Sequence, residues 1–116
     1  MYAAVGLLRK KPGVDAEEFH RWWLDKHVPI AKTLPGVRRY YTYPIDQTYD
    51  PVHGGWNDDT PWQGVAILWF DDAEAAAACF ASPTGEHDRE HFHTMVHESL
   101  ILAGGAIEQI GPDGQR

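Results

Sequence analysis

The sequence predicts an α+β domain with the element order β-α-β-β-α-β and a four-stranded antiparallel sheet. Four segments carry the β-branched and aromatic residues typical of strands, two regions carry helical spacing or helix-start signals, and turn residues separate them. The 116 residues are enough for one hydrophobic core. We therefore expect a single domain over residues 1–110, with a short tail over 111–116, in the ferredoxin-like split βαβ arrangement.

The first helix is predicted from its start signal and its apolar stripe. A strand over residues 2–10 ends before Pro12-Gly13, and Asp15 then provides an N-cap with Glu18 at the third helical position. Apolar residues and one imidazole recur at helical spacing: Phe19, Trp23, His27, Ile30 and Leu34. Pro29 removes one backbone N–H from this helix, so we expect a bend there.

Two further strands are predicted over residues 37–44 and 63–70, which are rich in aromatic and β-branched residues. The connection between them, residues 46–62, is longer than most structureless loops. It either closes over a pocket as a lid or packs on a neighbouring subunit, and the sequence does not choose between these. In both cases we expect Trp56 or Trp62 to be largely buried.

The second helical region is predicted in two pieces. Asp72 begins a helix that continues through an alanine run to Phe80, and residues 82–85 interrupt it. A further helix is expected over residues 86–98, followed by the last strand over 100–110. Cys79, the only cysteine, lies in the alanine run, and we expect a buried, unreactive thiol.

Two pairs of histidines, His87 with His91 and His93 with His97, have the i, i+4 spacing that can hold zinc on a helix. A zinc site needs at least a third protein ligand, and these side chains fall on the polar arc of the predicted helix. We therefore predict a solvated face and no metal. His91 lies nearest the apolar border and is the one expected to reach a pocket.

The composition excludes several classes of partner. The net charge is −7 and basic residues form only two short blocks, so we expect neither nucleic acid nor an anionic membrane as a partner. The charges of the first eleven residues follow the apolar run, the reverse of a signal peptide, and no apolar stretch approaches the roughly 20 residues that span a bilayer. We expect a cytoplasmic protein.

The strand over residues 63–70 is apolar on both faces. Val65, Ile67 and Trp69 alternate with Ala66, Leu68 and Phe70. Two helices cover one face of a four-stranded sheet, and a solvent-exposed second face would carry polar residues. We therefore expect a homodimer in which two copies pack sheet against sheet.

His27 has two interpretations on spacing alone. It either hydrogen-bonds a backbone carbonyl freed by Pro29, or it points into a cavity that the bend opens. The segment EFHRWW, followed by His27, six residues, LPG, three residues and Tyr40, resembles the EthD family of small dimeric α/β-barrel proteins. That family also includes methylmuconolactone isomerase-like proteins. The resemblance extends more loosely through WFDDAEAAAACFASP.

The resemblance implies a pocket between the helices and the sheet of each subunit, with no metal or organic cofactor. It also implies that His27 and Tyr40 are catalytic, since they match a functional histidine and tyrosine of the isomerases. Imidazole exchanges protons near neutral pH and a phenol can donate to a developing oxyanion. We expect the substrate contacts to come from three tryptophans and one histidine: Trp23, Trp56, Trp69 and His91.

The function expected from the resemblance is that of an isomerase, lyase or cyclase which transfers protons on a small hydrophobic carbonyl, lactone or aromatic compound. Such a reaction would belong to aromatic degradation or polyketide modification. Two alternatives remain at this point: a non-catalytic protein that binds such compounds, and a cofactor-free monooxygenase of the same superfamily.

Overall fold

The structure, a computed structural model, describes residues 1–116. In chain order its elements are β1 (Tyr2–Lys10), α1 (Ala16–Trp22), a π-helical segment (Trp23–His27), α2 (Val28–Ala31), β2 (Arg39–Pro44), β3 (Thr48–Tyr49), β4 (Trp56–Asn57), β5 (Gly64–Phe70), α3 (Ala73–Ala81), α4 (Pro83–Phe92) and β6 (Val96–Gly105). None of the helices combines the length and apolar character needed to cross a membrane.

The sheet has the strand order β2-β5-β1-β6, and every neighbouring pair is antiparallel. At its centre Val5 lies opposite Ile67 on one side and Leu102 on the other. The helices lie on one face of this sheet, where the even-numbered residues of β1 and β5 are buried. The predicted α+β, ferredoxin-like sandwich is confirmed.

Two clusters of buried side chains join the helices to the sheet. One cluster joins the β1–β5 pair to α2 and α3: Ala4, Ala31, Leu34, Leu68, Phe70, Ala76 and Cys79. The other lies under α1 and the π-helical segment: Leu8, Phe19, Trp23 and Val96. Between them the helical layer stands away from the sheet and leaves a cavity.

The first helix begins as predicted and then changes its hydrogen-bond register. Asp15 Oδ1 accepts a 2.7 Å hydrogen bond from the backbone N–H of Glu18. Further along, the N–H of Val28 donates to the carbonyl of Trp23, five residues earlier. The predicted irregularity is therefore a π-helical segment that ends just before Pro29, which lies in the first turn of α2 where a missing N–H costs little.

The second half of the chain differs from the prediction at both ends of α4 and of β6, which ends at Gly105 rather than at residue 110. Ser82 and Pro83 begin α4 rather than only interrupting a helix, because the Ser82 hydroxyl accepts a 3.0 Å hydrogen bond from Gly85 N–H and proline is tolerated in a first helical turn. The helix ends at Phe92 and β6 begins at Val96, earlier than expected. The polar start of β6 is accommodated because it is an edge strand, exposed along most of its length.

The segment 46–62 is a small hairpin rather than an irregular loop. β3 and β4 pair within it, and Asp50 closes the turn by accepting hydrogen bonds from the N–H groups of Val52 and His53. Trp56 is 67% exposed, and Trp62 is half-buried beneath the guanidinium of Arg9. Within one chain neither indole is largely buried, so this chain alone does not provide the expected lid.

Gly64 is the point at which the sheet approaches the helical layer most closely. A Cβ at this position would lie 2.7 Å from Cζ3 and 2.9 Å from Cη2 of Trp23, a rigid and fully buried ring. We expect Gly64→Ala to lower the free energy of unfolding by about 1–3 kcal/mol through overpacking, measured by denaturant titration. Gly105→Ala is the control, because nothing lies within 4 Å of its Cβ position. Equal midpoints for the two variants would contradict this packing.

Candidate active site

A cavity of about 250 Å³ lies between the helical layer and the sheet. Its walls are mainly apolar and come from β1, β5, β6 and the helices: Ala4, Leu8, Trp23, Leu34, Leu68, Phe80, Phe92 and Ile101. Six side chains with polar groups also line it: His27, Tyr40, Asp88, Arg89, His93 and Ser99. An apolar cavity with a few convergent polar groups is the usual form of a small-molecule site.

His27 lies at the end of the π-helical segment and is only 4% exposed. Its Nδ1 lies 3.0 Å from Nδ1 of His91, so one of these nitrogens donates a hydrogen and the other accepts it. Its Nε2 lies 3.2 Å from Oδ1 of Asp88. Neither nitrogen bonds a backbone carbonyl. The interpretation in which His27 satisfies a carbonyl freed by Pro29 is therefore not what the structure shows.

Asp88 is a second ionisable group of the cavity, and no sequence pattern singles it out. Its Oδ1 is buried, and although Nε2 of His27 lies within 3.2 Å, the contact lacks hydrogen-bond geometry. A buried carboxylate oxygen without a donor is energetically costly. The site thus holds an acceptor that a ligand hydrogen or a realigned His27 can satisfy.

Tyr40 enters the cavity from β2, and its hydroxyl makes no hydrogen bond to another protein group. Burial, and then the negative charge of Asp88, raise the pKa of the Tyr40 hydroxyl well above its ordinary value. The group therefore stays protonated at physiological pH. It is a free hydrogen-bond donor in an apolar cavity.

His91 lies behind His27 and does not itself line the cavity. Its ring stacks on Trp22 at 5.2 Å between centroids, with planes 13° apart. It meets the ring of His27 edge to edge through the two Nδ1 atoms, nearly coplanar with it at 13°. Partial desolvation and then the charges of His27 and His87 lower the pKa of His91, while Asp88 acts in the opposite direction. The ring is therefore neutral at neutral pH and able to accept a proton.

The structure brings only some of the predicted site residues together. His27, Tyr40 and Trp23 line one cavity. Trp69 lies outside it, because odd-numbered β5 residues point to the opposite sheet face, where its ring contacts Tyr41 edge-on. Trp56 lies in the hairpin and contacts Tyr49.

Four of the six polar lining residues were not predicted as site residues from the sequence: Asp88, Arg89, His93 and Ser99. Two of them flank the junction of α4 and β6, which the sequence analysis placed inside a longer helix. A correct helix end at Phe92 would have brought His93 and Ser99 towards the cavity. No local pattern distinguishes Asp88 or Arg89 from solvent-facing residues.

The histidine pairs do not form a metal site in this fold. His93 ends α4 and His97 lies in β6, so these two do not share a helical face. Asp88 and His91 approach opposite nitrogens of His27, so one ion cannot contact all three through that ring. No three histidine, cysteine, aspartate or glutamate side chains are grouped so as to hold a metal.

Cys79 is buried, and burial raises the pKa of its thiol.

The fold and this cavity define a ferredoxin-like α+β domain with a small-molecule site between its layers. The model of the EthD domain matches residues 11–97. The chain belongs to the EthD family. No curated protein was found to match it by sequence.

Solved structures share the fold at low sequence identity. An ethyl tert-butyl ether D (EthD) family protein from Bacillus halodurans matches with a TM-score of 0.72 and 16% identity, over 92% of this chain and 100% of that one. A DABB family protein with a ferredoxin-like fold from Mesorhizobium loti matches at 0.65 and 14%, over 92% and 97%. A dimeric protein of ferredoxin-like fold from Bacteroides fragilis matches at 0.60 and 9%, over 89% and 93%.

Proposed function

We propose that this protein is a proton-transfer enzyme, an isomerase, lyase or cyclase, which acts on a small hydrophobic carbonyl, lactone or aromatic compound without a metal or organic cofactor. One observation carries the proposal. A single apolar cavity holds a buried imidazole beside a carboxylate, together with a tyrosine hydroxyl that has no protein partner. These are the groups that an enolisation requires: an acid–base pair and an oxygen donor.

The proposed division of labour follows from these contacts. The pair of His27 and Asp88 accepts a proton from the carbon beside the substrate carbonyl and returns it at another position. Tyr40 donates its O–H to the carbonyl oxygen, on which negative charge develops. Apolar walls keep water away, so both interactions act in a medium of low dielectric constant. The volume of about 250 Å³ restricts the substrate to a small compound.

A hydrogen-exchange assay in deuterium oxide tests this function. α-Angelica lactone and phenylacetone are small, hydrophobic and enolisable. We expect the protein to accelerate the loss of their α-proton NMR signals over buffer. A probe that perturbs the cavity resonances but exchanges no faster than in buffer would contradict catalysis.

That negative result would favour the second candidate, a non-catalytic binding protein for the same class of compound. One observation supports this alternative. Both ring nitrogens of His27 already face protein groups, His91 and Asp88, so a ligand must displace one contact to be attacked by the ring. Binding with no exchange at any pH is the outcome that identifies a carrier.

We also propose that the protein is a homodimer joined through the open sheet face. This face is apolar and half-exposed or exposed in the single chain: Val5, Leu7, Tyr41, Tyr43, Val65, Ile67, Trp69, Leu100 and Leu102. Leu102 of the edge strand β6, for example, is 54% exposed beside its partner Val5 in the inner strand β1. The dimeric state of the Bacteroides fragilis protein, which shares the fold, agrees with this arrangement.

Light scattering checks the dimer. We expect the protein to have twice the 13.1 kDa mass of the chain, and Ile67→Lys to reduce it to the mass of one chain by placing a charge at the centre of the interface. Val52→Lys, at an exposed position in the hairpin turn, is the control and should stay dimeric. A stable monomer of the natural sequence would refute the proposal.

A further inference from the structure

A continuous set of polar groups leads from the cavity to the surface of the helical layer. Asp88 and buried His27 both line the cavity, and His91, outside the cavity lining, is the partly exposed last member. The two contacts use different ring nitrogens of His27. Its Nε2 lies 3.2 Å from Oδ1 of Asp88, and its Nδ1 lies 3.0 Å from Nδ1 of His91. The remaining nitrogen of His91, Nε2, has no protein partner.

We propose that His91 is a proton-relay residue, which passes protons between buried His27 and solvent and so resets the acid–base pair of the cavity. This inference rests on the proposed function for its purpose, but the contacts that it requires are present in the protein without substrate. His91 is then a positioning residue that acts through His27, not the substrate contact expected from the sequence.

For each proton that enters the histidine pair, the relay releases one proton to water. It begins with hydrogen on Nδ1 of His27 and on Nε2 of His91. A proton arriving at Nε2 of His27 is matched by transfer of the Nδ1 proton to Nδ1 of His91, and Nε2 of His91 then releases its proton to water. One proton has left the cavity, both rings have changed tautomer, and no bond to carbon is made. Return of a proton by the reverse route restores the first state.

The surroundings of His91 favour this role. Trp22 stacks on both imidazoles, with planes 13° from His91 and 25° from His27, and so limits rotation of the two rings away from one another. The ionisable groups that influence His91 are His27 from the π-helical segment, and His87 and Asp88 from α4. The lowered pKa of His91 leaves it neutral and ready to accept a proton at neutral pH.

The relay is tested on the protein without any substrate, by nitrogen-15 NMR of its histidine rings. We expect one of the two facing Nδ1 atoms to carry a hydrogen and the other to carry none. We also expect measurable exchange of the His27 ring hydrogen with water. In His91→Phe, which keeps an aromatic ring against Trp22, we expect that exchange to slow by about tenfold or more, because it then depends on local opening of the fold. Unchanged exchange would overturn the relay.

A control and a second measurement keep the test decisive. His97→Gln removes an exposed histidine near the start of β6, which is not among the groups that influence His91, and should leave the exchange of His27 unchanged. If His91→Phe does not fold, the pKa of His91 is followed in two other variants. It should rise in His27→Phe, which removes a positive neighbour, and fall in Asp88→Asn, which removes a negative one. No shift in either variant would overturn the contact.

This test is independent of the proposed function. If the lactone exchanges its α-protons but His91→Phe does not slow exchange of the His27 ring hydrogen, the protein is an enzyme whose proton leaves by another route. If His91→Phe slows exchange of the His27 ring hydrogen but no probe exchanges its protons, the two histidines are coupled in a protein that only binds its ligand. With both present, His91→Phe should also alter the pH profile of probe exchange, which a residue that only fills space would not change.

Discussion

His27→Gln is expected to lower the rate of α-proton exchange of a bound probe by about 10²- to 10⁴-fold, the usual contribution of a general acid–base group. Glutamine has a similar reach and keeps polar atoms towards Asp88 and His91, but it cannot take up a proton near neutral pH. NMR exchange rates at saturating probe measure the effect. Because the ring is buried, circular dichroism and the oligomeric mass are checked on the same sample.

His53→Gln is the matched control for this variant. It makes the same change at an exposed histidine in the hairpin turn, where the ring contacts only Asp50. We expect wild-type exchange from it. A folded His27→Gln protein that retains the wild-type rate would remove His27 from the mechanism.

Tyr40→Phe is expected to lower the same rate by about 10²- to 10³-fold, the range seen when one oxyanion donor is removed. The hydroxyl makes no hydrogen bond within the chain, so its removal breaks no structural contact and the unfolding midpoint should hardly change. The effect is expected mainly in the turnover rate, because the bond strengthens as charge develops on the substrate oxygen.

Tyr41→Phe provides the comparison for Tyr40→Phe. It is the next residue in β2 but points to the opposite sheet face, against Trp69. Loss of its hydroxyl should not change the exchange rate. Equal rates for the two variants would show that a phenol in the cavity takes no part in the reaction.

Most of the fold could be predicted because its signals are local. The N-cap at Asp15 and the strand residues of β1, β2 and β5 are signals carried by neighbouring residues, and the structure has these elements within two residues of the expected places. The sheet face of a strand is less certain when both faces are apolar. That ambiguity is why Trp69 was expected in the cavity and is found on the outer face.

The site was predictable only in part, because it depends on how two distant helices meet. His27 and Tyr40 could be selected from a family pattern, and both line the cavity. Asp88 could not, since it lies in the charged run EHDRE and resembles a solvent-facing residue. Its Oδ1 is buried because α4 packs against the π-helical segment, a contact between residues about 60 positions apart in sequence.

The π-helical segment sets the direction in which the side chains after it point around the helix axis. Its extra residue is accommodated between Trp23 and His27, and the three residues between these two are exposed and make no demand on side-chain identity. Deleting any one of them would restore an ordinary helix and turn everything after it by about 100°. The position of the imidazole therefore depends on the number of residues in a stretch whose side chains face solvent. A change in that number would move His27 away from the cavity.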